Sequence, residues 1–153
     1  MLRVRIAAVG RLREKGFRES AGEYRKRLGR YCRLEVIEVD PAHRREPDRA
    51  KNEEGERLLR ATACPGRRIA CHEGGRILDS MAFSELLGSA LTRGEPLLFL
   101  IGGTEGLSGE VLETCLDRLS LSRLTFPHEL ARVVLMEQIY RGFRILRGEP
   151  YHR

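Results

Sequence analysis

The stretch Pro96-Leu-Leu-Phe-Leu-Ile-Gly-Gly-Thr-Glu-Gly106 decides the fold. Its apolar run is typical of a strand that is buried on both faces of a parallel sheet. A Gly-Gly-x-x-Gly loop follows directly, and Ser108 with Glu110 is typical of the beginning of a helix. The stretch therefore predicts a strand, a glycine loop and a helix, the unit that α/β folds repeat.

Strand and helix patterns alternate through the rest of the chain as well. Hydrophobic periodicity predicts strands over 2–9, 34–39, 68–71, 97–101 and part of 119–126, and helices over 17–31, 47–62, 81–92, 109–117 and 128–147. Ser80 is predicted to cap the third helix, and Pro127 suits the first turn of the last one. This order implies a single α/β domain over 1–153, with one parallel, doubly wound sheet flanked by helices.

Positive charge is concentrated at the N-terminal end. The chain has 28 Lys and Arg against 22 Asp and Glu, a net charge of +6. Residues 1–33 hold eleven of the basic residues and three of the acidic ones, so this segment carries +8 and the other 120 residues carry −2. Such a segment suits a phosphate-backbone partner, although a solvated basic helix face explains it equally well.

The sequence does not favour a membrane, secretion or a bound metal. Its apolar runs are far shorter than the ~20 residues that span a bilayer, and arginines interrupt the first apolar residues, unlike a signal peptide. Cys32, Cys64, Cys71 and Cys115 are not spaced as zinc ligands, so we expect four reduced thiols. We expect a cytoplasmic protein without a metal.

Two loops at the carboxyl ends of strands are candidate ligand sites, because open α/β sheets bind ligands at that edge. The glycine loop lacks the GxGxxG spacing, and 102–109 contains Glu105 but no Lys or Arg. A pyrophosphate therefore fits poorly, and a neutral or cationic ligand, such as an adenosine carrying a sulfonium, fits better. The loop Ser122–Pro127 has backbone groups for an adenine edge. A tight turn and an ordinary connector remain the alternatives.

The final helix and the tail carry further candidates. Arg141 lies one helical turn after Glu137, which by itself suggests only a pair that stabilises the helix. Tyr151, His152 and Arg153 are residue types that stack on a base, move a proton and hold a phosphate. Terminal residues are usually frayed, so this tail is open to either interpretation.

Three segments carry a resemblance to a known family: Leu98–Ser108, Leu119–His128 and Glu149–Arg153. In this order and spacing they resemble the SPOUT-class methyltransferases that modify a pseudouridine of bacterial large-subunit rRNA. Asn52–Leu59 and the opening strand are also similar, so the resemblance covers essentially the whole chain. It implies S-adenosylmethionine as cofactor, a homodimer, and a C-terminal segment that forms a deep trefoil knot.

The resemblance also implies the cofactor site. The residues concerned are His72, Gly102, Gly103, Ser122, Arg123, Leu124, Thr125, Phe126 and Pro127. His72 departs from the pattern, because a member of the family carries an apolar leucine there. The implied reaction is methylation of N3 of a pseudouridine in the intersubunit stem-loop of large-subunit rRNA, with assembled ribosomes as the expected substrate.

The tail receives catalytic roles from the same resemblance. His152 is predicted as the general base for the N3 proton, and Tyr151 and Arg153 are predicted to position the nucleotide. Arg141 is predicted to offset negative charge on the base or phosphate. In a dimer, we expect this tail to complete the site of the partner subunit.

Two other functions remain open from the sequence alone. A dinucleotide-dependent oxidoreductase would use the glycine loop, but the loop lacks both the GxGxxG motif and a basic phosphate contact. A non-catalytic ribosome-binding module would need only the basic segment 1–33.

Overall fold

The computed structural model describes residues 1–152, in which strands and helices alternate along the chain. The strands are β1 (Leu2–Val9), β2 (Cys32–Val39), β3 (Arg67–Ile77), β4 (Leu97–Ile101) and β5 (Asp117–Ser120). The helices are α1 (Lys15–Leu28), α2 (Pro47–Ala61), α3 (Ser80–Arg93), α4 (Gly109–Thr114) and α5 (His128–Leu146). The predicted α/β alternation is confirmed.

The strands form one parallel sheet in the order β2-β1-β4-β3-β5. β4 lies in the middle and all of its residues are buried, as its unbroken apolar run predicts. Helices α1, α3 and α5 pack on one face of the sheet, and α2 and α4 pack on the other. Because every strand runs in the same direction, the loops that follow β1, β2, β4 and β5 open on one edge.

Strand β3 is longer than the predicted 68–71. It continues to Ile77 through an irregularity between Cys71 and Arg76, and this second part pairs with β5. Gly75 makes that pairing possible, because a Cβ there would lie 2.5 Å from the carbonyl carbon of Arg118. The sequence Glu73-Gly-Gly reads as a turn, which is why the pattern ended the strand too early.

Three helix boundaries also differ from the prediction. Asp79, not Ser80, caps α3, since its carboxylate accepts a hydrogen bond of 2.8 Å from the Ala82 N–H. Helix α1 ends at Leu28 rather than at residue 31. Helix α4 ends at Thr114 rather than near 117, because the next residues already lead into β5.

Strand β5 begins at Asp117, two residues before the predicted stretch. Arg67 of β3 holds Asp117 with two hydrogen bonds of 2.5 and 2.9 Å, and it lowers the pKa of that carboxyl. Ser108 caps α4 as predicted. The trefoil knot and the homodimer stay predictions.

None of the helices in residues 1–152 is long and apolar enough to cross a membrane. The four cysteines are free thiols.

Candidate active site

A cavity of about 790 Å³ opens at the carboxyl edge of the sheet. We call it the large cavity; its walls are the end of β3, the glycine loop after β4 and the loop after β5. Eight of the nine predicted cofactor residues line it: His72, Gly102, Gly103, Ser122, Arg123, Leu124, Thr125 and Phe126. Pro127 does not line it and instead stands at the N-cap of α5. The structure thus brings together two loops that are about twenty residues apart in sequence.

The glycine loop is folded tightly against itself. A Cβ on Gly102 would lie 2.5 Å from the carbonyl carbon of Gly106, which is closer than side-chain carbons come to backbone. Gly106 has a φ of 81° and donates its N–H to the Gly103 carbonyl at 3.0 Å. Gly102 and Gly106 therefore require glycine, and at these two positions the loop presents backbone to the cavity.

The second loop is organised by two serine hydroxyls. Ser120 donates its hydroxyl to the Ser122 carbonyl at 2.9 Å, and Ser122 accepts the Leu124 N–H at 2.9 Å. The N–H groups of Arg123, Thr125 and Phe126 make no hydrogen bond to the described residues. Main-chain donors of this kind can bind the polar edge of a planar ring.

His72 lies at the wall of the large cavity with its ring fixed. The Nδ1 atom accepts the Gly74 N–H at 2.9 Å, so a neutral ring carries its proton on Nε2. The imidazole therefore has a local structural partner, which an apolar side chain at this position would lack.

Charged groups of both signs line the large cavity. Glu105 contributes the carboxylate that the loop sequence suggests, and Glu73 of β3 contributes a second one. Lys51 and Arg123 add cations. Lys51 belongs to α2 and was not predicted, because a surface lysine on a helix gives no sequence signal. The neighbouring Cys71 thiol is protonated, since burial raises its pKa to about 12.

Behind the glycine loop lies a buried carboxylate that the sequence did not single out. Glu54 of α2 is 5% exposed, and both of its oxygens lie 3.4 Å from where a Cβ on Gly103 would stand. It accepts the Ala42 N–H at 3.1 Å. Glu54 therefore holds the loop before α2 through Ala42 and lies close to Gly103. The only sequence hint was its place within the similar segment Asn52–Leu59.

The C-terminal tail folds back onto α5 and forms a cluster. The Tyr151 ring packs edge-on against Tyr140, with 4.9 Å between centroids, and the Arg141 guanidinium lies 4.8 Å above the Tyr151 ring. Glu137 accepts hydrogen bonds from Arg141 at 2.6 and 2.9 Å and from the Tyr151 hydroxyl at 3.2 Å. His152 places Nδ1 3.3 Å from the Arg141 Nη1.

This cluster gathers three of the four predicted catalytic residues, and Arg153 lies outside the described residues. Burial is the largest cause of a raised pKa for Tyr151, so its hydroxyl is a proton donor at neutral pH. Glu137, predicted only as a helix-stabilising partner, is the residue that holds both Arg141 and Tyr151. The sequence could not predict the contact of Glu137 with Tyr151, because this contact forms only when the tail folds back onto α5.

The tail and the large cavity lie on two sides of one segment. A second cavity of about 410 Å³, the tail cavity, is lined by His152, Gln138, Phe83 and the segment Leu119–Leu121. The same segment lines the large cavity. Within this chain, His152 does not line the large cavity, so the two predicted groups of residues are neighbours rather than one site.

Within residues 1–152 no group of three or more His, Cys, Asp or Glu side chains is arranged to hold a metal ion.

Comparisons with known proteins show the family of the chain. A family model described as "Predicted SPOUT methyltransferase" matches residues 2–152. Two curated relatives are named Ribosomal RNA large subunit methyltransferase H. The Clostridium kluyveri protein is 42% identical over 159 residues, covering 99% of this chain and 100% of its own. The Anaeromyxobacter dehalogenans protein is 45% identical over 153 residues, with the same coverage.

Solved structures show the same fold. A methylase family protein from Neisseria gonorrhoeae superposes with a TM-score of 0.58 at 18% identity, over 91% of this chain and 82% of its own. TrmJ from Z. mobilis superposes with a TM-score of 0.55 at 11% identity, over 100% of this chain and 73% of its own. The family match over nearly the whole length and the close relatives agree: the chain belongs to the SPOUT methyltransferase family.

Proposed function

We propose that this chain is an S-adenosylmethionine-dependent rRNA methyltransferase that methylates N3 of a pseudouridine in the intersubunit stem-loop of large-subunit rRNA. The observation that carries the proposal is the large cavity, with its glycine loop and its loop of free main-chain donors. The shared name of the Clostridium and Anaeromyxobacter relatives supports an rRNA substrate. SPOUT methyltransferases use S-adenosylmethionine, which supports the cofactor.

The residues of the large cavity fit this cofactor. Its volume of about 790 Å³ lies in the range of small-molecule sites. The N–H groups of Arg123, Thr125 and Phe126 would bind the adenine edge, and the backbone at Gly102–Gly103 would let the ligand approach closely. Glu105 suits a ligand with a sulfonium and an ammonium group. When bound, S-adenosylmethionine supplies a methyl group on a positively charged sulfur.

The protein's remaining task is to hold the base and manage its proton. The N3 position is a weakly acidic imide, so its proton must leave before or while the methyl group arrives. The base then carries negative charge, which a fixed guanidinium or N–H donor stabilises. Arg141 is suited to this role because Glu137 fixes its guanidinium with two hydrogen bonds.

His152 can act as an N–H donor or as a general base. Which of these roles it takes depends on whether its Nδ1 contacts Arg141. A guanidinium only donates, so the Nδ1 lone pair is occupied while the 3.3 Å contact holds, and the neutral ring carries its proton on Nε2. In that state His152 donates an N–H to the base. It acts as the predicted general base only after its Nδ1 has left Arg141.

The assembly and location of the enzyme form part of the proposal. We propose a homodimer in which the tail, including Tyr151, His152 and Arg153, completes the partner's site. Within one chain, Tyr151 and His152 do not line the large cavity. A cytoplasmic enzyme that acts on assembled ribosomes is consistent with the rRNA substrate.

The decisive experiment is methyl transfer from labelled S-adenosylmethionine to assembled ribosomes, free large subunits and naked rRNA, followed by mapping of the modified nucleotide. We expect one modified pseudouridine, with assembled ribosomes as the best substrate. Absence of S-adenosylmethionine binding in a calorimetric titration would overturn the proposal. Binding of the protein to ribosomes without methyl transfer would favour a non-catalytic module instead.

A further inference from the structure

We propose that a cleft beside the glycine loop binds the phosphodiester backbone of the RNA substrate. We call it the arginine cleft; it has a volume of about 480 Å³ and is lined by Arg11, Arg13, Arg44 and Arg45 together with part of the glycine loop. The inference rests on the proposed function, since it assigns a second surface to the same RNA.

The cleft exists because β1 and β2 are parallel neighbours. Their register pairs Val9 with Val39, so the chain leaves both strands at the same level of the same edge. Arg11 and Arg13 follow β1, and Arg45 lies in the segment that follows β2, so side chains from two distant segments face one cleft. The sequence concentrates positive charge in residues 1–33, whereas the cleft combines arginines from this segment with Arg45, which lies outside it.

The floor of the cleft is held rigidly. Arg132 of α5 is 3% exposed, donates to the Gly10 carbonyl at 2.8 Å and forms an ion pair of 2.5 Å with Glu38. Glu54 holds the opposite wall through the Ala42 N–H at 3.1 Å. A fixed backbone that carries exposed arginine side chains suits a partner with repeated negative charges.

Three of the four arginines are available for an external anion. The exposed side chains of Arg11, Arg13 and Arg45 form no ion pair or hydrogen bond with residues 1–152, whereas Arg44 is held by Glu53 at 2.7 Å. The carboxylates in the cleft are mostly engaged. Glu54 is buried, and Glu129 accepts the backbone N–H groups of Arg13 and Glu14.

The composition of the cleft favours a phosphate backbone over a base. Four arginines line it, whereas His43 and His128 are the only aromatic rings among the described residues that do. Arginine, in contrast, forms strong charge-assisted hydrogen bonds with phosphate. Contacts of this type set the position of a nucleic acid rather than read its sequence.

The position of the cleft connects it to the reaction. Gly103, Thr104, Glu105 and His128 line both the arginine cleft and the large cavity. An RNA strand held in the cleft therefore passes directly beside the cofactor site. The exposed Glu105 at this junction disfavours a single small anion, whereas a strand held by three arginines can place its phosphates away from it.

The test compares two triple variants with the same loss of charge. Arg11→Gln/Arg13→Gln/Arg45→Gln removes the free cations of the cleft. The control is Arg3→Gln/Arg30→Gln/Arg33→Gln, whose residues are exposed and lie within 1–33 at the opposite edge of the sheet. Both are assayed for methyl transfer to ribosomes at several KCl concentrations and for S-adenosylmethionine affinity by calorimetry.

We expect the cleft variant to raise the KM for ribosomes about tenfold or more and to reduce the slope of log KM against log salt by about three, one for each phosphate contact. The control should keep the wild-type KM and slope, and both should bind S-adenosylmethionine as the wild type does. A wild-type KM and slope in the cleft variant, or an equal loss in the control, would overturn the inference.

Failure of the proposed function gives a different result. In that case the wild type itself transfers no methyl group, and cosedimentation of the three proteins with ribosomes replaces the KM. Weaker cosedimentation of the cleft variant alone still supports the cleft, and equal cosedimentation of all three overturns it. A single charge reversal, Arg45→Glu, in an exposed loop checks that the effect does not come from misfolding.

Discussion

The Nη1 atom of Arg141 lies 3.3 Å from the Nδ1 atom of His152. Since arginine is only a donor, this contact uses the one lone pair of a neutral imidazole. The histidine at the end of the chain is thus oriented by an arginine that is itself fixed by a carboxylate.

This contact predicts different outcomes for two substitutions of His152. If His152 donates an N–H, His152→Gln keeps a donor and loses roughly tenfold in kcat, whereas His152→Ala loses on the order of 10²–10³. If His152 is the general base, both lose a similar factor of roughly 10²–10⁴. Single-turnover methyl transfer to ribosomes measures the two rates, and S-adenosylmethionine affinity should be unchanged in each.

Glu137 is expected to act as a positioning residue for the tail. Glu137→Gln weakens the hold on Arg141 and Tyr151, and we expect kcat to fall on the order of ten- to a hundredfold with an unchanged affinity for S-adenosylmethionine. Glu23→Gln is the matched control, because Glu23 forms the same i,i+4 pair with Arg27 on α1. An equal effect of both variants would contradict a role specific to the tail.

The glycine loop is expected not to accept even one methyl group at Gly102. Gly102→Ala places a Cβ 2.5 Å from backbone of Gly106, so we expect a loss of about 2 kcal/mol in the free energy of unfolding and at least about tenfold weaker S-adenosylmethionine binding. Gly109→Ala is the control, since nothing lies within 4 Å of a Cβ there. Urea unfolding and calorimetry measure both effects, and a fully stable Gly102→Ala protein would contradict the geometry.

The Arg67–Asp117 pair is expected to make stability depend on pH in the acid range. The arginine lowers the pKa of Asp117 in the folded state, so this stabilisation is present above the ordinary value of 3.8 and is lost as pH falls below it. At neutral pH, Asp117→Asn should cost about 1–2 kcal/mol, because both side chains are largely buried.

Urea unfolding at neutral pH and near pH ~3 tests this expectation. The difference between wild type and Asp117→Asn should shrink at the lower pH. Glu46→Gln, which removes an exposed partner 3.9 Å from Arg49, should have no measurable effect. A difference that stays constant with pH would mean that the carboxylate charge does not stabilise the fold.

Local patterns were sufficient for the centre of the sheet and for the loops of the site. The apolar run of β4 and the glycines after it determine their own conformation, because burial on both faces and the close contact of Gly102 with Gly106 leave few alternatives. The identity of the cofactor residues came from resemblance to a family. The periodicity of the sequence contains no information on what binds to a loop.

Features that depend on packing between distant segments could not be predicted. Glu54 reads as one of several surface carboxylates on a helix, yet it is buried behind the glycine loop. The continuation of β3 past Cys71 depends on pairing with β5, and local sequence cannot report a partner strand. The arginine cleft likewise arises from strand order, since Arg13 and Arg45 become neighbours only when β1 and β2 lie side by side.

The segment Leu119–Leu121 separates the large cavity from the tail cavity and forms a wall of both. Any displacement of this segment would change the shape of both cavities, because its residues line each of them. Thermodynamic linkage would make this coupling reciprocal. An occupant of one cavity would change the affinity of the other cavity for its ligand by the same factor in both directions. An occupant of either cavity that moves this segment would therefore change the affinity of the other cavity for its own ligand.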